Sequence, residues 1–208
     1  MNPKGHSPVD LESAEPASSR RSLIGAVGAV GIAGAAALVA SRPAAAAPFA
    51  ISTEDRALLD QAMRMELTAS DLYQVALDAG VADQTAEVAA TFAANHGAYA
   101  QAIAGVTGSA ADTRDEALFA DLEGTFATSD NAEFGQAAAE LENSAAATHT
   151  EFIDQFESIE AITLAGSIVV VEARHATVAA NIGGLDSNLE SLFHPDSEAF
   201  DLNPAEES

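Results

Sequence analysis

The sequence predicts an all-α protein: a bundle of four long helices, arranged as two antiparallel pairs with one long crossover. Three observations carry that prediction. Apolar residues recur at helical spacing through four long segments between residues 52 and 182. These segments open on capping residues or close on glycine, the usual punctuation of helix ends. The second and third segments are separated by a long connection, whereas the first two and the last two are joined by short turns, so each short-linked pair must run antiparallel. Strand signals are almost absent. The β-branched run Ile168 to Val171 lies in a helical pattern too long for a strand.

Taken in order, residues 1–46 read as an export signal. Ser19-Arg20-Arg21-Ser22-Leu23-Ile24 resembles the twin-arginine signature. An apolar run from Leu23 to Ala40 follows, and an alanine tract offers a cleavage site between Ala46 and Ala47. The resemblance implies export to the periplasm, the cell envelope or the medium, with no stable membrane insertion after cleavage. It also implies a route used by folded, often cofactor-loaded proteins. The alternative is an uncleaved anchor, since the run is nearly long enough to span a bilayer.

Residues 47–186 form one domain. The first helix covers about 52–79, with Ser52 and Asp55 spaced as a capping box and Gly80 as its stop. The second covers about 83–104 and ends at Gly105. The crossover holds a short helical pattern, Ala117-Leu118-Phe119-Ala120-Asp121-Leu122. The third helix starts at Asp130, which with Glu133 again suits a capping box, and ends near Phe156. The fourth runs from about Glu160 to Ile182 and stops at Gly183-Gly184. Residues 187–208, acidic and carrying Pro195 and Pro204, read as a flexible tail.

Beyond residue 46 the chain has four arginines, no lysine and 29 acidic residues, a net charge of −25. Such a surface repels nucleic acid and anionic lipid and attracts cations. The chain has no cysteine. Disulfides and thiolate metal sites are therefore excluded, and any metal ligands must be histidine and carboxylate.

Glu172-Ala173-Arg174-His175 lies inside the apolar run Ile162 to Ala180. Glu and His three apart share a helix face, and burying both requires a partner, either a metal ion or a hydrogen bond from another helix. The other helices repeat the theme. Glu66 shares a stripe with Leu59, Met63 and Tyr73. His96 shares one with Ala89, Phe92, Tyr99 and Ile103. Glu142 shares one with Gly135, Ala138, Ala146, His149 and Phe152. Glu133, Glu140, Ser144 and Glu151 form a separate face, read as solvated. Tyr73 reads as bundle packing. His149 lies about 10 Å along the helix from Glu142, too far to share one ion with it, and reads as a core or supporting histidine. Arg174 reads as a surface or carboxylate-pairing group, and His194 carries no assignment. No glycine-rich phosphate loop is present, and no serine nucleophile stands beside a base.

On the phrases Met65-Glu66-Leu67 with Tyr73, Asn95-His96-Gly97-Ala98-Tyr99-Ala100, Leu141-Glu142-Asn143 and Val171-Glu172-Ala173-Arg174-His175-Ala176, residues 52–184 resemble the ferritin-like superfamily. They look closest to its exported bacterial members with a twin-arginine signal. The resemblance implies a ferritin-like four-helix bundle. It also implies two iron or manganese ions held by one Glu from each of two helices and a Glu-x-x-His from each of the other two. Glu66 and Glu142 match the single glutamates, Glu172 and His175 match one pair, and His96 matches the remaining histidine. Its glutamate is missing, because that position is Ala93. The expected metal ligands are therefore Glu66, His96, Glu142, Glu172 and His175.

Three carboxylates are short of charge for a dinuclear centre. The expectation is a degenerate site for one metal ion or a labile pair (iron, manganese or zinc), open to oxidase or metal-sequestering chemistry. The alternative is a metal-free bundle with a structural or protective role in the envelope. The two readings leave open whether the protein is an enzyme.

Overall fold

The computed structural model describes residues 51–188 and 197–202. The expected export signal, His194 and most of the expected acidic tail lie outside the described residues. Five helices follow in order: α1 (Thr53–Ala79), α2 (Asp83–Thr107), α3 (Glu116–Phe126), α4 (Asn131–Ile153) and α5 (Ile159–Ile182). There is no strand among the described residues. The fold is the all-α, ferritin-like bundle expected, with α1, α2, α4 and α5 as its long helices and α3 on the crossover.

The ends obey local chemistry, with two shifts. Ser52 Oγ caps α1 by accepting the Asp55 N–H at 2.9 Å. Asp130 Oδ1 caps α4 by accepting from Ala132 and Glu133. Gly80 closes α1 in the left-handed conformation, at φ 100°. Helix α2 runs past Gly105 to Thr107 and is closed by Gly108, at φ 76°. A glycine inside a helix costs only about 1 kcal/mol, and the extension buries Thr107. Helix α4 stops at Ile153, short of Phe156, which is buried in the turn beyond.

The long helices pack as expected, α1 along α2 and α4 along α5, and the pairs meet through α1–α4 and α2–α5 contacts. Buried Asp55 ties the start of α1 to the α4–α5 turn, its carboxylate accepting the N–H groups of Glu157 (2.9 Å) and Ser158 (2.8 Å). The crossover is pinned to the middle of α1 by Asp115, whose N–H donates to Thr68 Oγ1 at 3.0 Å and whose carboxylate caps α3.

Two apolar clusters fill the bundle. One gathers Tyr73, Phe92, Phe126 and Phe134, with Ala179 and Ala180 from α5. The other gathers Leu59, Ile103, Phe152, Phe156 and Ile168. Asp55 apart, the buried ionisable residues of every long helix fall between these two sets. At the aromatic end α4 and α5 touch backbone to backbone. A β-carbon on Gly135 would lie 2.3 Å from the Gly183 nitrogen and 2.8 Å from the Ala179 oxygen, and Gln136 Nε2 donates to the Gly183 carbonyl at 3.1 Å.

Two surface features complete the frame. Helix α5 exposes Ile159, Val170 and Val178. It is long and apolar enough to cross a membrane by length and composition, as core helices also can be. Of the expected tail, residues 197–202 lie against α4: the Phe200 N–H donates to Thr148 Oγ1 at 2.8 Å, and Ser197 Oγ donates to Glu140 at 3.1 Å. Ser144, expected on a solvated face, is buried. As a small side chain it fits the packed flank of α4, whereas Glu133, Glu140 and Glu151 on that face are exposed.

Candidate metal centre

Each long helix turns ionisable side chains inward between the two apolar clusters. Helix α1 contributes Glu66, α2 His96, α4 Glu142 and His149, and α5 Glu172 and His175; all six are buried. Glu142 is inside and Glu140 outside, the helical phase expected for the third long helix.

His96 bridges two carboxylates. Its Nδ1 lies 2.6 Å from Glu66 Oε2 and its Nε2 lies 3.0 Å from Glu142 Oε1. An imidazole with an acceptor at each nitrogen is favoured in its doubly protonated form. Burial opposes that charge, but Glu142 and Glu66 outweigh it and hold the His96 pKa well above its usual value.

Glu142 is the best-satisfied carboxylate. It accepts the bond from His96, one from the Tyr73 hydroxyl, and one from His175 Nδ1 at 3.2 Å. Burial would raise its pKa, but the charge of His96 and the bonds from His175 and His96 bring it down to about 2. Asn95 Nδ2 lies 3.0 Å from His175 Nε2. With Asn95 donating there, the His175 proton sits on Nδ1 and points at Glu142, an assignment that follows from the hydrogen-bond network. Burial and the Glu142 charge push the Tyr73 pKa far up, so Tyr73 stays a hydroxyl donor.

Glu66 accepts from His96 and, through Oε1, from His149 Nε2 at 2.6 Å. Burial acts to raise its pKa, but the His96 charge and the His149 bond prevail and lower it. Glu172 stands apart. Its Oε1 lies 3.5 Å from His149 Nε2, and neither of its oxygens has a hydrogen-bond partner. Burial, the charges of Glu66 and Glu142, and a hydrogen bond that only a protonated Glu172 can donate to Glu66 push its pKa well above the carboxylate range.

The five residues expected from sequence therefore converge. One potential ligand atom from each of His96, Glu142 and His175 lies within 4.8 Å of the others, and the same holds for Glu66, His96 and Glu172. Ala93 adds no donor; its carbonyl accepts from Ser70 Oγ at 3.0 Å. Beside it the Phe92 ring stacks on His175, with centroids 3.9 Å apart. Two contributors escaped the sequence reading, Tyr73 and Asn95 as hydrogen-bond partners of the centre; His149, expected as a core or supporting histidine, is buried and bonded to Glu66. Its distance along α4 separates it from Glu142, but its partners come from α1 and α5. The usable signal was its place on the inward stripe of α4.

A bundle whose four long helices jointly bury carboxylates and imidazoles at one level defines the class: a ferritin-like helical bundle with groups compatible with a metal site. The family model described as "Ferritin-like domain" matches residues 54–184, from the second residue of α1 to just beyond the end of α5. The chain belongs to that family. No curated protein and no solved structure matches it.

The donors fit a metal ion. Carboxylate with imidazole suits iron, manganese and zinc. A buried carboxyl group with both oxygens unpaired costs about 1–3 kcal/mol, and a cation would remove that cost. Glu172 is such a group.

Proposed function

We propose that this is an exported ferritin-like protein that binds iron, manganese or zinc at the centre formed by Glu66, His96, Glu142, Glu172 and His175. The observation that carries this reading is Glu172, fully buried between neighbouring carboxylates with both oxygens unpartnered. Without a cation, protons must do its work: one held by His96 between Glu66 and Glu142, and another on Glu172. A bound metal supplies Lewis acidity and, if it is iron or manganese, a redox couple. The chain's own part is to hold the donors in a dry layer between two apolar clusters. Asn95 orients His175, and Tyr73 orients Glu142. The net charge of −25 beyond residue 46 raises the local concentration of any cation.

Metal should stabilise the native state alone. At a hundredfold excess over the dissociation constant the gain is about 2.7 kcal/mol. His175→Ala should abolish it. An unchanged melting temperature with iron, manganese and zinc would favour the second reading, a metal-free bundle of the cell envelope. The observation favouring that alternative is Ala93, which removes one expected carboxylate. Export follows the twin-arginine reading of residues 19–24, so Lys at both Arg20 and Arg21 should retain the precursor inside the cell; normal export of that variant would remove the reading.

A further inference from the structure

We propose that His149 is itself a metal ligand, supplying from α4 the donor that position 93 lacks, so that the centre comprises two half-sites. His96, Glu142 and His175 form one, and Glu66, His149 and Glu172 form the other. This rests on the metal-binding reading above.

Three observations support it. First, His149 is 1% exposed and aims Nε2 at two carboxylates, 2.6 Å from Glu66 Oε1 and 3.5 Å from Glu172 Oε1. Those two carboxylates also belong to the second cluster able to hold an ion. Second, the unpartnered polar atoms of the centre gather here: both oxygens of Glu172, and Nδ1 of His149 itself. The Tyr73 end has none of them.

Third, α1 and α4 repeat one device. Each carries a glutamate followed seven residues later by a hydrogen-bonding ring, and each ring reaches the other helix's glutamate: Tyr73 to Glu142, His149 to Glu66. The two rings differ in what they can offer a cation. A buried tyrosine keeps its proton and remains a donor. A neutral imidazole can carry its proton on Nδ1 and present a lone pair at Nε2. The repeated geometry therefore yields a hydrogen-bond donor at one end and a metal ligand at the other.

Charge decides the class of ion. Three carboxylates with neutral imidazoles leave two divalent ions with a net +1, but two trivalent ions with +3. Replacing a carboxylate by histidine in a buried layer thus selects divalent over trivalent cations.

The test uses the full chain, stripped with a chelator and titrated with Zn²⁺ in excess Mg²⁺, so that exposed carboxylates are already occupied. Calorimetry gives the stoichiometry, and imidazole nitrogen resonances report the ligands, with His6 and His194 assigned by their own substitutions. The expected result is two Zn²⁺ per chain and three responding buried imidazoles, falling in His149→Gln to one Zn²⁺ and two imidazoles. One Zn²⁺ in both proteins, or two in both, would overturn the role of His149 while leaving metal binding intact. Zn²⁺ binding to neither would instead sink the metal-binding reading. Should His149→Gln fail to fold, the unsubstituted chain decides alone: three responding imidazoles support the proposal and two overturn it.

Discussion

Glu142 and Glu172 are both fully buried in one centre, yet Glu142 accepts three hydrogen bonds and Glu172 none. The difference follows the two ends of the site. Toward the aromatic cluster, Tyr73, His96 and His175 saturate Glu142, and the rings of Phe92, Phe126 and Phe134 pack against Tyr73. Toward the other end, Glu66 and His149 form one bond between them and leave Glu172 facing the charges of Glu66 and Glu142. One half of the layer is finished by protein donors. The other is balanced only if a proton or a cation sits there. Both glutamates are proposed ligands, but at Glu142 a cation must displace protein donors, whereas at Glu172 it displaces at most a proton.

Substituting the two glutamates should break the comparison most visibly. Glu142→Ala leaves Tyr73, His96 and His175 without their acceptor and should cost about 3–5 kcal/mol, the usual penalty for breaking a buried charged pair. Urea unfolding in the presence of a chelator measures it, and a loss below about 1 kcal/mol would mean that the bonds to Glu142 hold nothing together. Glu172→Leu should act the other way. It removes an unsatisfied buried group, so the metal-free protein should gain about 1–3 kcal/mol. The same variant should lose the stabilisation by Zn²⁺ that the unsubstituted chain shows.

A smaller effect separates the two ends by pH. The groups facing His96 are Glu66 and the stacked Tyr73 ring on α1 and Glu142 on α4, with His175 and Glu172 on α5. The raised His96 pKa contributes stability that is complete below the ordinary value of 6.5 and is lost as pH rises through the folded value. Glu172, also raised, contributes most below 4.5 and loses that contribution as pH climbs. Glu142 has the opposite sign: its contribution is present above 4.5 and is lost as pH falls through about 2. Between pH 5 and 8 the metal-free native state therefore binds more protons than the unfolded chain, and stability should fall by about 1.4 kcal/mol per pH unit for each extra proton. Zn²⁺ displaces those protons, so the slope should vanish or reverse in the loaded protein. Identical slopes with and without Zn²⁺ would show that the protons and the metal do not compete.

Much of this was legible in the sequence, because one helix at a time carries the information. Periodicity placed Glu66, His96, Glu142, Glu172 and His175 on inward faces, and the long gap before Asp130 set the connectivity. Helix ends were less legible: Gly105 looked like a stop, but packing carried α2 through it. The bond from Tyr73 to Glu142 was not legible, and His149 was legible only as a core or supporting histidine, without its partners. Each acts on a glutamate of another helix, and the spacing within a helix says nothing about which helix lies opposite or at what height.

That height is set by the contact of Gly135 with Gly183. From it, Glu142 lies seven residues down α4 and His175 eight residues down α5, about 10.5 and 12 Å by helix rise, both in the same direction. The glycine contact is the zero mark of a ruler, and the two donors are read off it at almost the same graduation. The residues between can change in kind, but not in number. Inserting one residue between positions 136 and 141 would turn Glu142 about 100° away from its partners, since each residue advances the helix by that angle. The centre is therefore encoded partly as a length, and a comparison that aligns only the donor residues would overlook it.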